Sequence, residues 1–114
     1  DELTACGPNL VRAYGMDGRN QITTLSPNYW GESTHPSQDL KGGSLKQNLL
    51  ILDSLLTRKA PSGLRSSILI NAGTAFCLAG KVHSIEEGMA QAKELLDGEG
   101  LSKWLDKANK FFSL

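Results

Sequence analysis

From residue 44 to its end, the chain carries apolar residues at the spacing of helices. Leucine, isoleucine and aromatic residues recur there every three or four positions, which places them along one face of a helix. This periodicity predicts four helices, over about residues 44–58, 64–79, 84–97 and 101–112. The second helix is apolar on nearly all sides from Ile68 onward, which is typical of a helix buried between neighbours.

The predicted faces of the first and third helices are regular. The residues that share a face are Leu45, Leu49, Leu52 and Leu56 in the first helix, and Ile85, Met89, Ala92 and Leu96 on the inner side of the third. Leu101, Leu105, Ala108 and Phe112 mark the fourth helix in the same way. Spacing of this kind indicates helices that pack along one side.

Capping residues stand where these periodic segments begin and end. Ser44 suits the N-cap of the first helix, because a serine oxygen accepts a hydrogen bond from a free N–H of the first turn. Ser84-Ile85-Glu86-Glu87 has the form of a capping box, in which the serine and the last glutamate each bond one free N–H. Gly80 follows the second helix at the position where many helices end in a left-handed residue.

The first quarter of the chain is typical of β-strands. Residues 9–14 and 21–25 are rich in β-branched and aromatic side chains, and Asp17-Gly18 between them is a strong turn signal. We therefore expect a β-hairpin followed by about four helices, an α/β arrangement. Residues 26–43 show no period, and they form either a packed excursion held by Tyr29-Trp30 or a mobile crossing segment.

A hairpin of two strands is not a self-sufficient fold. Two strands are marginally stable in water unless further strands or a helix cover them, and the apolar second helix also needs cover on several sides. The chain has 114 residues, which is the size of one domain. We expect residues 1–114 to be one part of a larger α/β unit, which would supply the rest of the sheet.

Charge and cysteine content narrow the function classes. Twelve lysine and arginine residues balance twelve aspartate and glutamate residues, so the formal net charge is zero. Such a chain has no long-range field for nucleic acid or an anionic membrane, and we expect neither as a partner. Cys6 and Cys77 lie far apart without paired spacing, which favours free thiols in a reducing compartment. The acidic first residues do not resemble a secretory leader, so we expect a cytoplasmic protein.

One pair of residues suggests metal chemistry. Asp1-Glu2 offers two adjacent carboxylates, the hard oxygen ligands that Mg²⁺ prefers while it keeps several waters and binds substrate phosphates. The spacing alone also allows a solvated acidic pair, since such pairs are common on surfaces. The sequence offers no candidate for a catalytic nucleophile or acid–base residue.

Several further residues have a structural interpretation that outweighs a functional one. Gly42-Gly43-Ser44 precedes a helix and could cradle a phosphate, but it lacks the lysine and glycine spacing of a phosphate loop, which favours a turn and cap. His35 and His83 are isolated and are interpreted as surface residues. Asn71, alone in an apolar helix, is expected to bond a neighbouring backbone group. The aromatic residues of the fourth helix are expected in the core or in a subunit contact: Trp104, Phe111 and Phe112.

The ordered motifs of the chain resemble those of the anthranilate phosphoribosyltransferase family. The resemblance begins at Asp1-Glu2-Leu3 and Gly7-Pro8 and extends, at natural spacing, over nearly the whole chain. The later segments that carry it are Leu25-Ser26-Pro27, Gly31, Leu40-Lys41-Gly42-Gly43, Asn48, Leu69-Ile70-Asn71-Ala72, Leu78-Ala79-Gly80-Lys81 and Ser84-Ile85-Glu86-Glu87-Gly88. Each motif is unspecific by itself, whereas their ordered combination is specific.

The resemblance implies a place and a role for the chain. Family members have an N-terminal helical domain, which builds a homodimer, and an α/β domain that binds phosphoribosyl pyrophosphate in a glycine-rich loop. This chain would be the C-terminal part of the second domain, with Asp1 and Glu2 as ligands of Mg²⁺ near the pyrophosphate. Phosphoribosyl pyrophosphate and anthranilate would be held by the upstream segment. The implied activity is transfer of the phosphoribosyl group to anthranilate in tryptophan biosynthesis, and we expect the isolated chain to be inactive.

Two alternative functions are compatible with the same elements. A family member without transferase activity could bind nucleic acid, although zero net charge without a cluster of lysine and arginine disfavours it. A free-standing helical interaction module could dock a partner through exposed apolar faces. We place the transferase first because the ordered motifs favour it.

Overall fold

The computed structural model describes residues 2–15 and 21–113 of the chain. Over these residues it contains a two-stranded antiparallel hairpin followed by four helices, which confirms the expected α/β arrangement. The strands are β1 (Asn9–Ala13) and β2 (Gln21–Leu25), and the helices are α1 (Leu45–Leu56), α2 (Ser62–Leu78), α3 (Ile85–Asp97) and α4 (Gly100–Phe112). Within this part of the chain, no helix is both long enough and apolar enough to cross a membrane.

The hairpin exposes apolar side chains. Strands β1 and β2 pair in a register that places Asn9 opposite Leu25. Leu10 on β1 is 77% exposed and Ile22 on β2 is 54% exposed. The turn expected at Asp17-Gly18 lies outside the described residues. The described helices therefore leave the face with Leu10 and Ile22 uncovered, although Leu25 packs against the core, in line with the expectation that the hairpin needs further structure.

The core lies where α2 packs against α3. Its buried residues come from these two helices, from the segment before β1 and from the first 3-10 turn: Ala5, Trp30, Leu69, Ile70, Met89, Ala92 and Leu96. The inner face predicted for α3 is confirmed, and Ile85 packs against the same cluster. Burial of this apolar surface is the main favourable contribution to the stability of the α2–α3 pair.

The two central helices touch at a pair of glycines. A Cβ placed on Gly73 would lie 2.7 Å from the backbone oxygen of Ile85, and a Cβ placed on Gly88 would lie 2.8 Å from the Cα of Gly73. Both distances are shorter than a Cβ contact tolerates. Glycine is therefore needed at both positions because the backbones approach so closely.

The predicted caps of α1 and α2 are confirmed. Ser44 Oγ accepts the N–H of Gln47, and the Gln47 side chain accepts the N–H of Ser44 at 2.7 Å. Gly80 ends α2 with a left-handed φ of 66°. Helix α1 ends at Leu56 rather than near Arg58, because Arg58 itself adopts a left-handed φ of 60°. A non-glycine residue at such a position is uncommon and stops the helix.

The start of α3 differs slightly from an ordinary capping box. Ser84 Oγ accepts the N–H of Glu87 at 3.1 Å, as the motif predicts. The Glu87 carboxylate, however, accepts the N–H of His83 at 2.9 Å instead of that of Ser84. Two free N–H groups are satisfied in either arrangement, so the motif still marks the helix start.

Residues 26–43 form a packed excursion, the first of the two arrangements considered for them. They contain two 3-10 turns, Pro27–Trp30 and Ser37–Leu40. Trp30 is 4% exposed and anchors the segment, whereas Tyr29 is 63% exposed and does not. The Asp39 carboxylate accepts the N–H of Gly63 at 2.8 Å. This contact caps α2, which begins at Ser62, two residues before the predicted start.

The expectation that the aromatic residues of α4 lie in the core is wrong for this chain. The side chains of Trp104, Phe111 and Phe112 are all exposed. The half-buried side of α4 is formed instead by Leu101, Leu105 and Ala108. Because α4 lies at the edge of the α2–α3 pair, only one of its sides meets the core. The subunit contact considered for the aromatic residues stays a prediction.

The leucines of α1 are also exposed. Leu45, Leu49 and Leu52 are exposed, while Leu55 is buried. The periodic stripe was predicted to share a face, and most of that face meets solvent here. A contiguous apolar surface of this kind is typical of a helix that packs against further protein.

The end of α3 carries a small ion-pair network. The carboxylate of Asp97 bonds Lys93 Nζ at 2.8 Å on its own helix and Arg65 Nη2 on α2. The hydrogen bond from Lys93, followed by that from Arg65, holds the pKa of Asp97 below its ordinary value of 3.8. A carboxyl group with a lowered pKa stabilises the fold above its ordinary pKa, and this contribution is lost as the pH falls through the folded value.

We expect the substitution Asp97→Asn to lower the urea midpoint of unfolding at neutral pH and to have little effect well below pH 3.8. The measurement is urea unfolding followed by circular dichroism at both pH values. Asp106→Asn, at an exposed position on α4, is the matched control and should not reproduce this pH dependence. An equal shift of the midpoint at both pH values would contradict the assignment.

Candidate metal site

The segment that carries the predicted metal ligands is bound to α2. Asn71 Oδ1 accepts the N–H of Leu3 at 3.0 Å, and Asn71 Nδ2 donates to the carbonyl of Leu3 at 2.7 Å. One turn earlier on the same helix, Ser67 Oγ accepts the N–H of Ala5 at 2.9 Å. The expectation that Asn71 bonds a neighbouring backbone group is confirmed. The extended segment at residues 3–5 is therefore fixed along the surface of α2.

The next turn of the chain is closed by Asn9. Its Oδ1 accepts the N–H of Thr4 at 2.7 Å, and its Nδ2 donates to the carbonyl of Thr4 at 2.9 Å. Asn9 is only 7% exposed, so these bonds satisfy a buried amide. The polypeptide from Leu3 to β1 is consequently held at both ends, by α2 and by the first residue of the strand.

Glu2 lies next to this anchored segment, with an exposed side chain. It lines a cavity of about 440 Å³ together with Leu3, Thr4 and β1 residues such as Asn9 and Arg12. It also lines a second cavity, of about 350 Å³, between the segment and α2, where Leu40 and Ile68 contribute apolar walls. Glu2 therefore borders two open spaces, one on the side of β1 and one on the side of α2.

The donor set suits one kind of metal site. Among residues 2–15 and 21–113, no three His, Cys, Asp or Glu side chains come together in a way that could hold an ion. Zinc sites need three or four protein ligands, whereas Mg²⁺ commonly takes one or two carboxylates and completes its shell with water and substrate phosphates. Glu2 offers one exposed carboxylate of the kind that such a Mg²⁺ takes, and its role as a ligand stays a prediction. Asp1, the other predicted ligand, lies outside the described residues.

The other candidate positions have structural roles. The N–H groups of Gly43 and Ser44 are already bonded, by the side chain of Asn48 at 2.9 Å and that of Gln47 at 2.7 Å. The turn-and-cap interpretation of Gly42-Gly43-Ser44 is therefore confirmed, because these donors bond side chains of α1. Cys6 and Cys77 are free thiols, as expected.

A cluster of three polar side chains was not predicted. Ser66, which is 7% exposed, donates to the carboxylate of Glu32 and lies 3.4 Å from His35 Nε2. His35 is half-buried, so its interpretation as a surface residue is wrong, whereas His83 is exposed as expected. Because the serine proton is directed to a carboxylate, the cluster fastens the 26–43 segment to α2. Each of the three residues is inconspicuous in the sequence, where 31 or more positions separate Ser66 from its partners.

Comparison with known proteins assigns the family. The family described as "Glycosyl transferase family, a/b domain" matches residues 1–101. The chain belongs to this glycosyl transferase family. It is 39% identical over 105 residues to the anthranilate phosphoribosyltransferases of Staphylococcus aureus strains JH9 and Newman, and these matches cover 91% of this chain. The resemblance inferred from the ordered motifs is confirmed.

A solved structure shows the same relationship. The crystal structure of anthranilate phosphoribosyltransferase from Thermus thermophilus matches 90% of this chain with a TM-score of 0.77 and 29% sequence identity. The match covers 30% of that chain, and the Staphylococcus aureus matches cover 32% of those proteins. The chain therefore spans about a third of the length of these relatives.

Proposed function

We propose that the chain is the C-terminal part of the α/β domain of an anthranilate phosphoribosyltransferase, a cytoplasmic enzyme of tryptophan biosynthesis. The observation that carries the proposal is the 39% identity over 105 residues to curated enzymes of that name. In the proposed reaction, the amine of anthranilate forms a bond to C1 of the ribose. The bond from C1 to pyrophosphate breaks, and the amine loses a proton.

Glu2, together with Asp1, would bind Mg²⁺ beside the pyrophosphate of phosphoribosyl pyrophosphate. A bound Mg²⁺ supplies neutralisation of the negative charge on the leaving pyrophosphate. The side chain of Glu2 is exposed and lines a cavity, so it is free to face a phosphate that is held by another segment. The contribution of this chain is then to present carboxylates from an anchored backbone.

The exposed apolar surfaces support a place within a larger protein. Leu45 and Leu49 on α1 and Leu10 and Ile22 on the hairpin are all more than half exposed. In the proposed enzyme, the segment that corresponds to the remaining two-thirds of the relatives would cover these surfaces, bind both substrates and form a homodimer. The isolated chain should therefore show no turnover.

A chimera tests the proposal. The C-terminal third of the Staphylococcus aureus enzyme is replaced by this chain, and anthranilate consumption is followed by its fluorescence after phosphoribosyl pyrophosphate is added. We expect activity that depends on both substrates, with the unaltered Staphylococcus aureus enzyme as the positive control. A well-folded dimeric chimera that does not form phosphoribosyl anthranilate would contradict the proposed function.

Within the chimera, we expect Glu2→Gln to lower kcat/KM about tenfold and to raise the Mg²⁺ concentration needed for half-maximal activity, because a neutral amide is a poorer ligand for a hard cation. The substitution keeps the size of the side chain. Glu86→Gln, at an exposed position on α3, is the matched control and should leave both quantities unchanged. Activity of Glu2→Gln equal to that of the parent chimera would show that Glu2 is not a ligand.

A further inference from the structure

The peptide group next to Glu2 is fixed by a single side chain of α2. The N–H of Leu3 belongs to the peptide plane that also contains the Cα of Glu2, and this N–H donates to Asn71 Oδ1 at 3.0 Å. The carbonyl of the same residue accepts from Asn71 Nδ2 at 2.7 Å. Both polar backbone groups of Leu3 are therefore bonded to one amide, as they would be to a neighbouring β-strand.

The amide of Asn71 is itself held in place. Its Nδ2 also donates to the carbonyl of Ser67 at 2.8 Å, one turn back on α2. Ser67 is buried, and its Oγ accepts the N–H of Ala5. A second α2 side chain therefore bonds the segment, two residues after Leu3. The orientation of the Glu2–Leu3 peptide is consequently tied to the axis of a helix that forms the centre of the core.

We propose that Asn71 is a positioning residue for the metal site, with Ser67 as its second anchor, and this inference rests on the proposed function. Asn71 bonds the backbone of Leu3 and Ser67 and is not itself proposed as a ligand. It fixes the backbone at Glu2, so that this residue has less conformational freedom to lose when an ion binds. Pre-oriented ligands lose less conformational freedom on binding, and groups that orient metal ligands commonly change metal affinity tenfold or more when they are removed.

The test uses Mn²⁺ alone and the chimera, in which the remaining two-thirds of the Staphylococcus aureus enzyme precede this chain. Mn²⁺ takes the same oxygen ligands as Mg²⁺, and its unpaired electrons broaden the NMR signals of nearby amides even when binding is weak. The reporter is the amide of Thr4, whose bond to Asn9 at 2.7 Å is not altered by the substitutions. The measured quantity is the Mn²⁺ concentration that halves this signal.

We expect this concentration to rise roughly tenfold in Asn71→Ala and about threefold in Ser67→Ala. The matched control is Thr74→Ala on the same helix, because the Thr74 hydroxyl donates only within α2, to the carbonyl of Ile70 at 2.8 Å. Thr74→Ala should leave the concentration unchanged. If Asn71→Ala loses the dispersed spectrum of a folded chain, Ser67→Ala and its comparison with Thr74→Ala decide the matter.

The outcomes separate the two proposals. Equal Mn²⁺ concentrations for the parent chimera, Asn71→Ala and Ser67→Ala would overturn the positioning role and leave the transferase untouched. A parent chimera in which Mn²⁺ broadens no signal near Glu2 would overturn the metal role of Glu2 and the positioning role with it. Failure of the chimera to turn over, with the Mn²⁺ effects present, would overturn the transferase and keep the positioning of an ion site.

Discussion

Replacement of Gly88 by alanine is expected to lower the free energy of unfolding by about 3 kcal/mol. The added methyl group would lie 2.8 Å from the Cα of Gly73 and would also press on the carbonyl of that residue. Both obstacles are backbone atoms of α2, so no side chain can rotate away, and the two helices must separate. At an open helix position the same change would instead stabilise the fold by up to about 1 kcal/mol, because alanine is the better helix former.

The sign of the effect is therefore diagnostic, and urea unfolding followed by circular dichroism measures it. Gly100→Ala is the matched control at the start of α4. Its new methyl group would meet the far end of the Leu95 side chain at 2.9 Å, and that side chain is 49% exposed and free to move. We expect the control to change stability by less than about 0.5 kcal/mol. A Gly88→Ala chain as stable as the parent would show that α2 and α3 do not approach as described.

The substitution Ile70→Ala should cost about 4 kcal/mol of stability. Ile70 has 0% exposure and belongs to the cluster that joins α2, α3 and the segment before β1. Truncation removes apolar contacts and leaves a cavity. The helices α2 and α3 cannot move closer to fill it, because their backbones already touch at Gly73 and Gly88. The measurement is again the urea midpoint together with the slope of the transition.

Leu78→Ala serves as the control for Ile70→Ala because it truncates a branched aliphatic side chain on the same helix. Leu78 is 68% exposed, so we expect a loss of less than about 1 kcal/mol. Similar losses for the two variants would mean that the centre of α2 is not the core of the isolated chain.

The helices could be predicted from the sequence because their signals are local. The periodicity of α3 and the serine at its start predicted its bounds, and Gly80 predicted the end of α2. The start of α2 was placed two residues late, since the group that caps it, Asp39, stands 24 positions away from Gly63. Contacts between residues so far apart in the sequence depend on the fold and cannot be predicted from a local pattern.

Burial was predicted less well than helix position. The stripe of α1 and the aromatic residues of α4 have the spacing of buried faces, yet Leu45 and Phe111 are exposed. Periodicity shows which residues share a face, but not which neighbour covers that face. The chain spans about a third of the length of its relatives. In the proposed enzyme, the remaining part would cover these apolar faces.

The candidate site was predicted only in part. Carboxylates at Asp1-Glu2 were singled out by chemistry and by family resemblance, because an acidic pair alone has little specificity. Asn71 was expected to bond some backbone group, but its partner could not be known, since 68 positions separate it from Leu3. Ser66, Glu32 and His35 gave no signal, because each of them is an ordinary polar residue until the fold brings them together.

The long separation between Leu3 and Asn71 has a consequence for the order of folding. Leu3 leaves the ribosome before Asn71, which is synthesised 68 residues later and reaches its bonding position only when α2 has formed. Contacts between such distant positions form late, because closing a long loop carries an entropic penalty that nearby contacts avoid. The segment at residues 3–5 should therefore dock on α2 late in folding. Its backbone amides should exchange with solvent well before those at the centre of α2.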